Sequence, residues 1–482
     1  MKKIDNIGLQ QSEIIATEHI DNGYFKNEAV SLSDLPSMCR VVIESKPGKG
    51  SLIISELWLP ENWNGIFIGL GNGGMAGSIR HSELARYASQ GYAVANTDMG
   101  TSRGRNSGIN NPDVWMDFGW RATHIMTQVS KAIIKEYYGR KEDYSYFIGA
   151  STGGQQAYSE AQRFPEDYDG IIAGVPANNR VFLHTYFLWN YTHLRSVDGA
   201  VMFSENEVHK ITECAAEFFN SKGDGEKGDN FVSFSFIDET TVDEFIGYLK
   251  LHCPEFTEKQ LSALDAVYRG PVNPKTNKQI YNGMPIGSEI YSCGILDCQG
   301  EESPHFYPFL WVFGEDYNGY RFDFSDALEE VDKKLSPDLN ANNPDLTPFY
   351  QRGGKMLAFS GSADPCVPYP DAIKYYNRVC DTMGGYETVK SFFKYFLLPG
   401  KDHGNSGRGV NEIWSNNDEH ELLHALREWQ EKGIEPEYIL GVRVEYDTKK
   451  EEPTFVRKVY PYSADNQEEV NYPKSCDIKY LD

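Results

Sequence analysis

The chain has 482 residues, 40% of them hydrophobic and 13% aromatic, which is enough to bury a large core and excludes wholesale disorder. Its formal charge of −24, from 46 basic against 70 acidic residues, argues against nucleic acid or an anionic membrane surface as partner. It contains no run of about 18 apolar residues, so no transmembrane helix is expected.

In chain order, Met1-Lys2-Lys3 is followed by no apolar stretch and does not read as an intact signal peptide. Short, nearly continuous apolar runs at residues 52–58, 65–70, 92–96, 144–148, 171–175, 356–361 and 392–398 read as strands of a sheet covered on both faces. Helical patterns lie between them. Residues 120–137 place Ile125, Val129, Ala132 and Ile133 on one face, and Leu422, Leu423, Leu426 and Trp429 do the same ahead of Gly433, a C-cap. The alternation predicts an α/β fold with a mostly parallel sheet. It lapses over 203–343 and resumes at Lys355. The domains expected are a core of residues 1–202, an inserted lid of 203–343, and the second part of the core, 344–482.

Gly149-Ala150-Ser151-Thr152-Gly153 is the most informative stretch. A strand precedes it and the helical run 154–161 follows. A serine on such a strand-to-helix turn presents its hydroxyl above the sheet, and the helix N-terminus favours a developing oxyanion. A serine nucleophile needs a base oriented by a carboxylate, and in α/β-hydrolases the chain order is Ser, Asp or Glu, then His.

Only His403, His420 and His424 follow the resumed sheet. His420 and His424 sit four apart in a helical pattern, where packing explains them. His403 ends a strand and opens the flexible Gly404-Asn405-Ser406-Gly407 loop, the place for a general base. Asp364 follows a strand directly and Pro365 holds its loop extended, so it is the expected acid. Asp402 is too close in sequence to orient His403, and Asp371 is expected to face solvent at a helix start. The second oxyanion donor, beside the Thr152 N–H, is expected at Gly73 and Gly74 in the glycine-rich loop 71–77. A dinucleotide-binding loop would need a GxGxxG spacing and an acidic partner, and neither is present.

On these residues the chain resembles the tannase and feruloyl esterase family of α/β-hydrolases over residues 39–436. The blocks that carry the likeness are YSYFIGASTGGQQAYSEAQRFPEDYDGIIAGVPA at 144–177, GNGGMAGSI at 71–79, GPVNPKTNKQIYNGMPIGSE at 270–289 and NPDLTPFYQRGGKMLAFSGSADPCVP at 343–368. The resemblance implies a Ser151–His403–Asp364 triad and a lid covering an aromatic acyl group. It also implies hydrolysis of esters of hydroxycinnamic acids such as ferulate, with a galloyl esterase as the alternative.

A non-catalytic binding protein on the same fold, and a peptidase or lipase, are the other readings. Phe306, Tyr307, Phe309, Trp311 and Phe313 are candidates to sandwich a phenolic ring or, more plainly, to glue the lid to the core.

The chain departs from the family in two places. Relatives carry cysteines directly before the serine and after the histidine, joined in a disulfide; here those positions are Ala150 and Gly404. The eight cysteines are spread thinly, without a CxxC pair, and read as free thiols in a cytoplasmic protein, with a trimmed secretory form left open. Relatives also often bind calcium in the lid. The corresponding stretch, Asp224-Gly225-Glu226-Lys227-Gly228-Asp229-Asn230, has oxygen ligands at altered spacing and a repelling Lys227. No cofactor is expected, with calcium near Asp224 and Asp229 as the alternative, and the expected partner is a small aromatic ester. Oligomeric state is not legible.

Overall fold

The computed structural model describes residues 9, 11–21, 23–226, 228–233, 239–300, 306–315, 317–415, 421–445 and 453–463. The chain divides into two compact units. One contains Met1–Arg180, Tyr307–Asp316 and Lys333–Met356, and the other Val181–Phe306, Tyr317–Asp332 and Leu357–Asp482. The segment expected as a continuous lid over 203–343 is thus shared between the two.

The first unit is built on a sheet. Its strands are β1 (Ser12–Ile20), β4 (Met38–Ser45), β5 (Ile53–Pro60), β6 (Ile66–Leu70), β7 (Ala93–Thr97), β8 (Tyr144–Ala150) and β9 (Gly170–Gly174), in the spatial order β1-β4-β5-β7-β6-β8-β9. A separate two-residue ladder joins β2 (Phe25–Lys26) and β3 (Ser31–Leu32). Strands β7, β6, β8 and β9 run parallel, while β1, β4 and β5 continue the sheet antiparallel.

Every residue of β6, β7 and β9 is buried, as expected of strands covered on both faces. Their apolar runs made them visible in sequence. Strand β1 escaped the sequence reading because most of its residues are exposed and it contains polar Ser12, Glu13, Thr17, Glu18 and His19.

Helices His81–Ser89, Ala122–Tyr138 and Thr152–Arg163 belong to this unit. The helix expected from residue 120 is entered through a widened π-turn, Asp117–Arg121, in which Arg121 Nε donates to buried Asp117 at 2.6 Å. It stops at Gly139, whose φ of +76° is the left-handed conformation of a helix-terminating glycine.

In the second unit, strand β10 (Lys355–Gly361), whose first two residues close the first unit, is followed by β11 (Phe393–Leu398). A three-stranded antiparallel sheet, β12 (Glu412–Trp414), β13 (Ile439–Val444) and β14 (Pro453–Val459), was not foreseen. Helices Glu205–Ser221 and Glu258–Arg269 both begin with a capping box, Ser204 with Glu207 and Thr257 with Gln260, which satisfies amides that the first turn leaves free. Helix Leu422–Lys432 ends at Gly433 with φ +72°, as its sequence predicted. No helix among the described residues is long and apolar enough to cross a membrane.

Candidate active site

Ser151 is the last residue before helix Thr152–Arg163, at φ +61° and ψ −117°, a conformation that costs a non-glycine residue of order 1–3 kcal/mol. The surroundings hold it there. Its N–H donates to Gly174 O at 2.9 Å, and its carbonyl accepts from Gln155 and Ala177, each at 3.1 Å. The flanking glycines are explained by contact. A Cβ on Gly149 would lie 2.3 Å from the Gly153 carbonyl oxygen, and one on Gly154 would lie 2.6 Å from Gly174 O. The turn is possible only because those side chains are absent.

The glycine-rich loop is tied directly to this turn. Gly71 N–H donates to Ile148 O at 2.8 Å, Gly153 N–H to Asn72 O at 2.7 Å, and Thr152 Oγ1 to Gly74 O at 2.6 Å. A Cβ on Gly71 would sit 2.5 Å from Gly153 Cα. Gly74 has φ +55°, whereas a Cβ on Gly73 would meet nothing within 4 Å. Thr152, at the first helical position, has no intrahelical acceptor for its amide. The expected oxyanion residues therefore share one hydrogen-bonded assembly with Ser151.

Sequence reasoning missed the polar groups behind this assembly. Gln156 Oε1 accepts from the Asn72 N–H and Asn72 Nδ2 donates to Thr97 O, both at 2.8 Å, while Asn96 Nδ2 donates to Leu70 O, also at 2.8 Å. All three side chains are buried. Their one signal in sequence is an amide residue within or beside a strongly apolar or glycine-rich run.

The second unit brings Asp364 and His403 together. Asp364 is fully buried on the loop after β10, and His403 lies on the loop after β11. Asp364 Oδ1 accepts the Cys366 and Val367 amides at 2.8 and 2.9 Å, and Oδ2 meets His403 Nδ1 at 2.8 Å. Two fixed amides thus leave Oδ2 aimed at the ring. Burial of His403 opposes its protonation, but the Asp364 charge and hydrogen bond outweigh that, and its pKa rises above the ordinary 6.5.

The two loops are also linked by the Ser362 N–H, which donates to Leu398 O at 3.0 Å, and by the Gly400 N–H, which donates to Ser362 Oγ at 2.7 Å. The neighbouring Asp402 is buried and accepts from Ser406 Oγ at 2.9 Å, so its carboxylate serves its own loop.

Other expectations fare differently. Asp371 does start a helix, Tyr369–Met383, but is buried rather than solvent-facing. His424 lies in helix Leu422–Lys432, 3.7 Å from Glu428 one turn on; His420 falls outside the described residues. Tyr307, Phe309 and Trp311 lie on helix Tyr307–Phe313 in the first unit and are 0–2% exposed. Trp311 meets Phe118 edge-on with centroids 5.7 Å apart, and its Nε1 donates to Arg105 O at 2.6 Å. These three rings serve as core in that unit. Phe313 is half-buried, and Phe306 packs on Tyr191 at 5.0 Å in the second unit.

The acidic loop does not fit calcium. Both oxygens of Asp229 are taken by the buried Arg457 guanidinium, with Nη1 at 2.9 Å, and Asp224 Oδ2 accepts the Ser233 amide at 2.7 Å. The guanidinium stands where a metal's charge would be needed. Lys227 lies outside the described residues. Seven of the eight cysteines lie in the described residues and six of those are buried; Cys476 lies outside.

A family model described as tannase and feruloyl esterase matches residues 39–299 and 311–476. The chain is 30% identical over 449 residues to a probable feruloyl esterase B-2 of Aspergillus flavus, an alignment covering 84% of this chain and 80% of that protein. It is 29% identical over 426 residues to feruloyl esterase B of Aspergillus niger, covering 84% and 79%. Among solved structures, feruloyl esterase B from Aspergillus oryzae superposes with a TM-score of 0.81 at 25% identity, covering 95% of this chain and 93% of that one. Tannin acyl hydrolase from Aspergillus niger shares the fold, with a TM-score of 0.73 at 19% identity over 94% and 89% of the two chains.

Proposed function

Since the chain belongs to the tannase and feruloyl esterase family, and is a carboxylic ester hydrolase, we propose that it cleaves feruloyl-type esters of hydroxycinnamic acids through an acyl-enzyme on Ser151. The observation that carries the assignment of roles is the Asp364 carboxylate, pinned by two amides and aimed at His403 Nδ1. That contact fixes the proton on Nδ1 and leaves Nε2 as the base.

His403 Nε2 accepts the Ser151 hydroxyl proton as the oxygen attacks the ester carbonyl. The Thr152 amide and the Gly73–Gly74 backbone hold the resulting oxyanion. Collapse expels the alcohol, which takes its proton from the imidazolium. Water then repeats the attack with the same base, freeing the acid and Ser151. The sequence needs no cofactor, and its partner is a small ester.

The test is to measure kcat/KM side by side on methyl ferulate, chlorogenic acid and methyl gallate, together with labelling by a fluorophosphonate. The expected result is hydrolysis of the two hydroxycinnamates ahead of the gallate, with labelling lost in Ser151→Ala. Preference for methyl gallate would make the enzyme a galloyl esterase. An unlabelled wild type would make it a binding protein.

A further inference from the structure

In the first unit, away from the Ser151 turn, three side chains that can ligate a metal converge. His124 comes from helix Ala122–Tyr138, Glu160 from helix Thr152–Arg163, and Asp167 from the connection to β9. One ligand atom from each lies within 4.8 Å of the other two. His124 Nδ1 and Asp167 Oδ2 are 2.6 Å apart.

Glu160 is the anomaly. It is 1% exposed, yet neither carboxylate oxygen has a hydrogen-bond partner among the described residues. A buried carboxylate without partners costs several kcal/mol, and something must neutralise it. The Lys131 charge reaches it, but the three Lys131 donors go to Asp167 O, Ser145 Oγ and the Glu142 carboxylate.

The surroundings resemble the supports of a metal site. Gln128 Nε2 donates to Asp167 Oδ1, leaving Oδ2 for the cluster. The Phe164 ring stacks on the His124 imidazole at 3.7 Å and 12°, holding its plane. Outlying contacts of this kind orient ligands for a cation. The His124 side chain is 29% exposed, which gives an entry path from solvent.

We propose that His124, Glu160 and Asp167 bind one divalent cation of the zinc class, with water completing the coordination. One imidazole and two carboxylates make a three-ligand set suited to zinc or cobalt, and too poor in oxygen for calcium, which takes six to eight. The ion would staple the two helices to the connection before β9, and so brace the helix that Ser151 immediately precedes. Its role is structural. In the competing arrangement, Glu160 keeps a proton and shares it with Asp167. Burial first, and the Asp167 charge second, push the Glu160 pKa well above the carboxylate range, so an ion-free site would take that form.

The test uses full-length protein stripped by chelator and dialysed. One equivalent of Co²⁺ should produce visible d–d absorption, one equivalent of Zn²⁺ should displace it, and Zn²⁺ should raise the unfolding midpoint. Glu160→Gln, nearly isosteric, should weaken Zn²⁺ binding by more than about 100-fold, beyond the loss typical of an outlying partner. His124→Ala, at a partly exposed ring, serves if Glu160→Gln fails to fold, and His424→Ala should bind as wild type. Absence of both the cobalt spectrum and the zinc-dependent shift overturns the site, as does unchanged binding in His124→Ala. A Glu160→Gln variant that is more stable and equally indifferent to Zn²⁺ would establish the shared proton instead.

Discussion

Replacing Asp364 by Asn separates charge from shape at the proposed base. The Asn oxygen would keep the Cys366 and Val367 amides, which turns its NH₂ toward His403 Nδ1. To meet that donor, Nδ1 must accept, so the ring proton moves to Nε2, the atom needed to take the serine proton. The wrong tautomer in an otherwise intact triad typically costs about 10⁴ in kcat, or about 5 kcal/mol of barrier.

The pH dependence should change as well. The active imidazole is neutral, so kcat/KM of the wild type rises with pH through the His403 pKa, above 6.5. In the variant the Asp364 charge is gone while burial, which opposes protonation, stays, so the rising limb should move below 6.5. Stopped-flow or spectrophotometric rates on methyl ferulate from pH 5 to 9 measure both effects. A loss smaller than tenfold, or a limb that does not move, would refute the role given to Asp364.

Three further outcomes are expected. Gly149→Ala drives a Cβ to 2.3 Å from the Gly153 carbonyl oxygen, which is backbone and cannot swing away. It should cost about 3 kcal/mol in urea denaturation or abolish soluble expression, and a loss under about 1 kcal/mol contradicts the packing described. Glu56 is buried, which alone would raise its pKa, but His81, Arg40 and Trp58 hold it down at about 2 against an ordinary 4.5.

Its contribution, roughly 3 kcal/mol, is therefore present above pH 4.5 and lost as pH falls toward 2, and Glu56→Gln should flatten the stability curve across that window. Arg457→Met removes the guanidinium that meets both oxygens of buried Asp229 and should cost about 3–5 kcal/mol by denaturant midpoint. Asp229→Asn added to it should recover part of the loss, and additive losses would show that the two residues do not act as a pair.

Much of this molecule was legible in sequence where physics acts locally. Strands β6 to β11 announce themselves as apolar runs because burial on both faces demands it, and Gly149, Gly153 and Gly433 stand where backbone crowding or a left-handed turn needs them. Asp364, which pairs with His403, was singled out because a loop directly after a strand followed by proline is a constrained place.

What stayed hidden depends on distant partners. The exposed strand β1 has no apolar alternation to betray it. Asp371 looked like a solvent-facing helix start and is buried. Trp311 read either as a wall for a phenolic ring or as packing, and a Cβ on Gly108 would lie 2.2 Å from its ring, a close approach that no spacing along the chain reveals. Arg457 lies 228 residues from Asp229, and nothing near either one foretells the pairing.

Gly73 offers a different kind of opportunity. It is exposed, its φ is not in the left-handed region, and a methyl group there would touch nothing. The fold therefore exerts no veto at this position, so a saturation library there would sample changes in acyl-group preference largely uncoupled from folding. That makes it a natural first handle for anyone wishing to breed new selectivity into this scaffold.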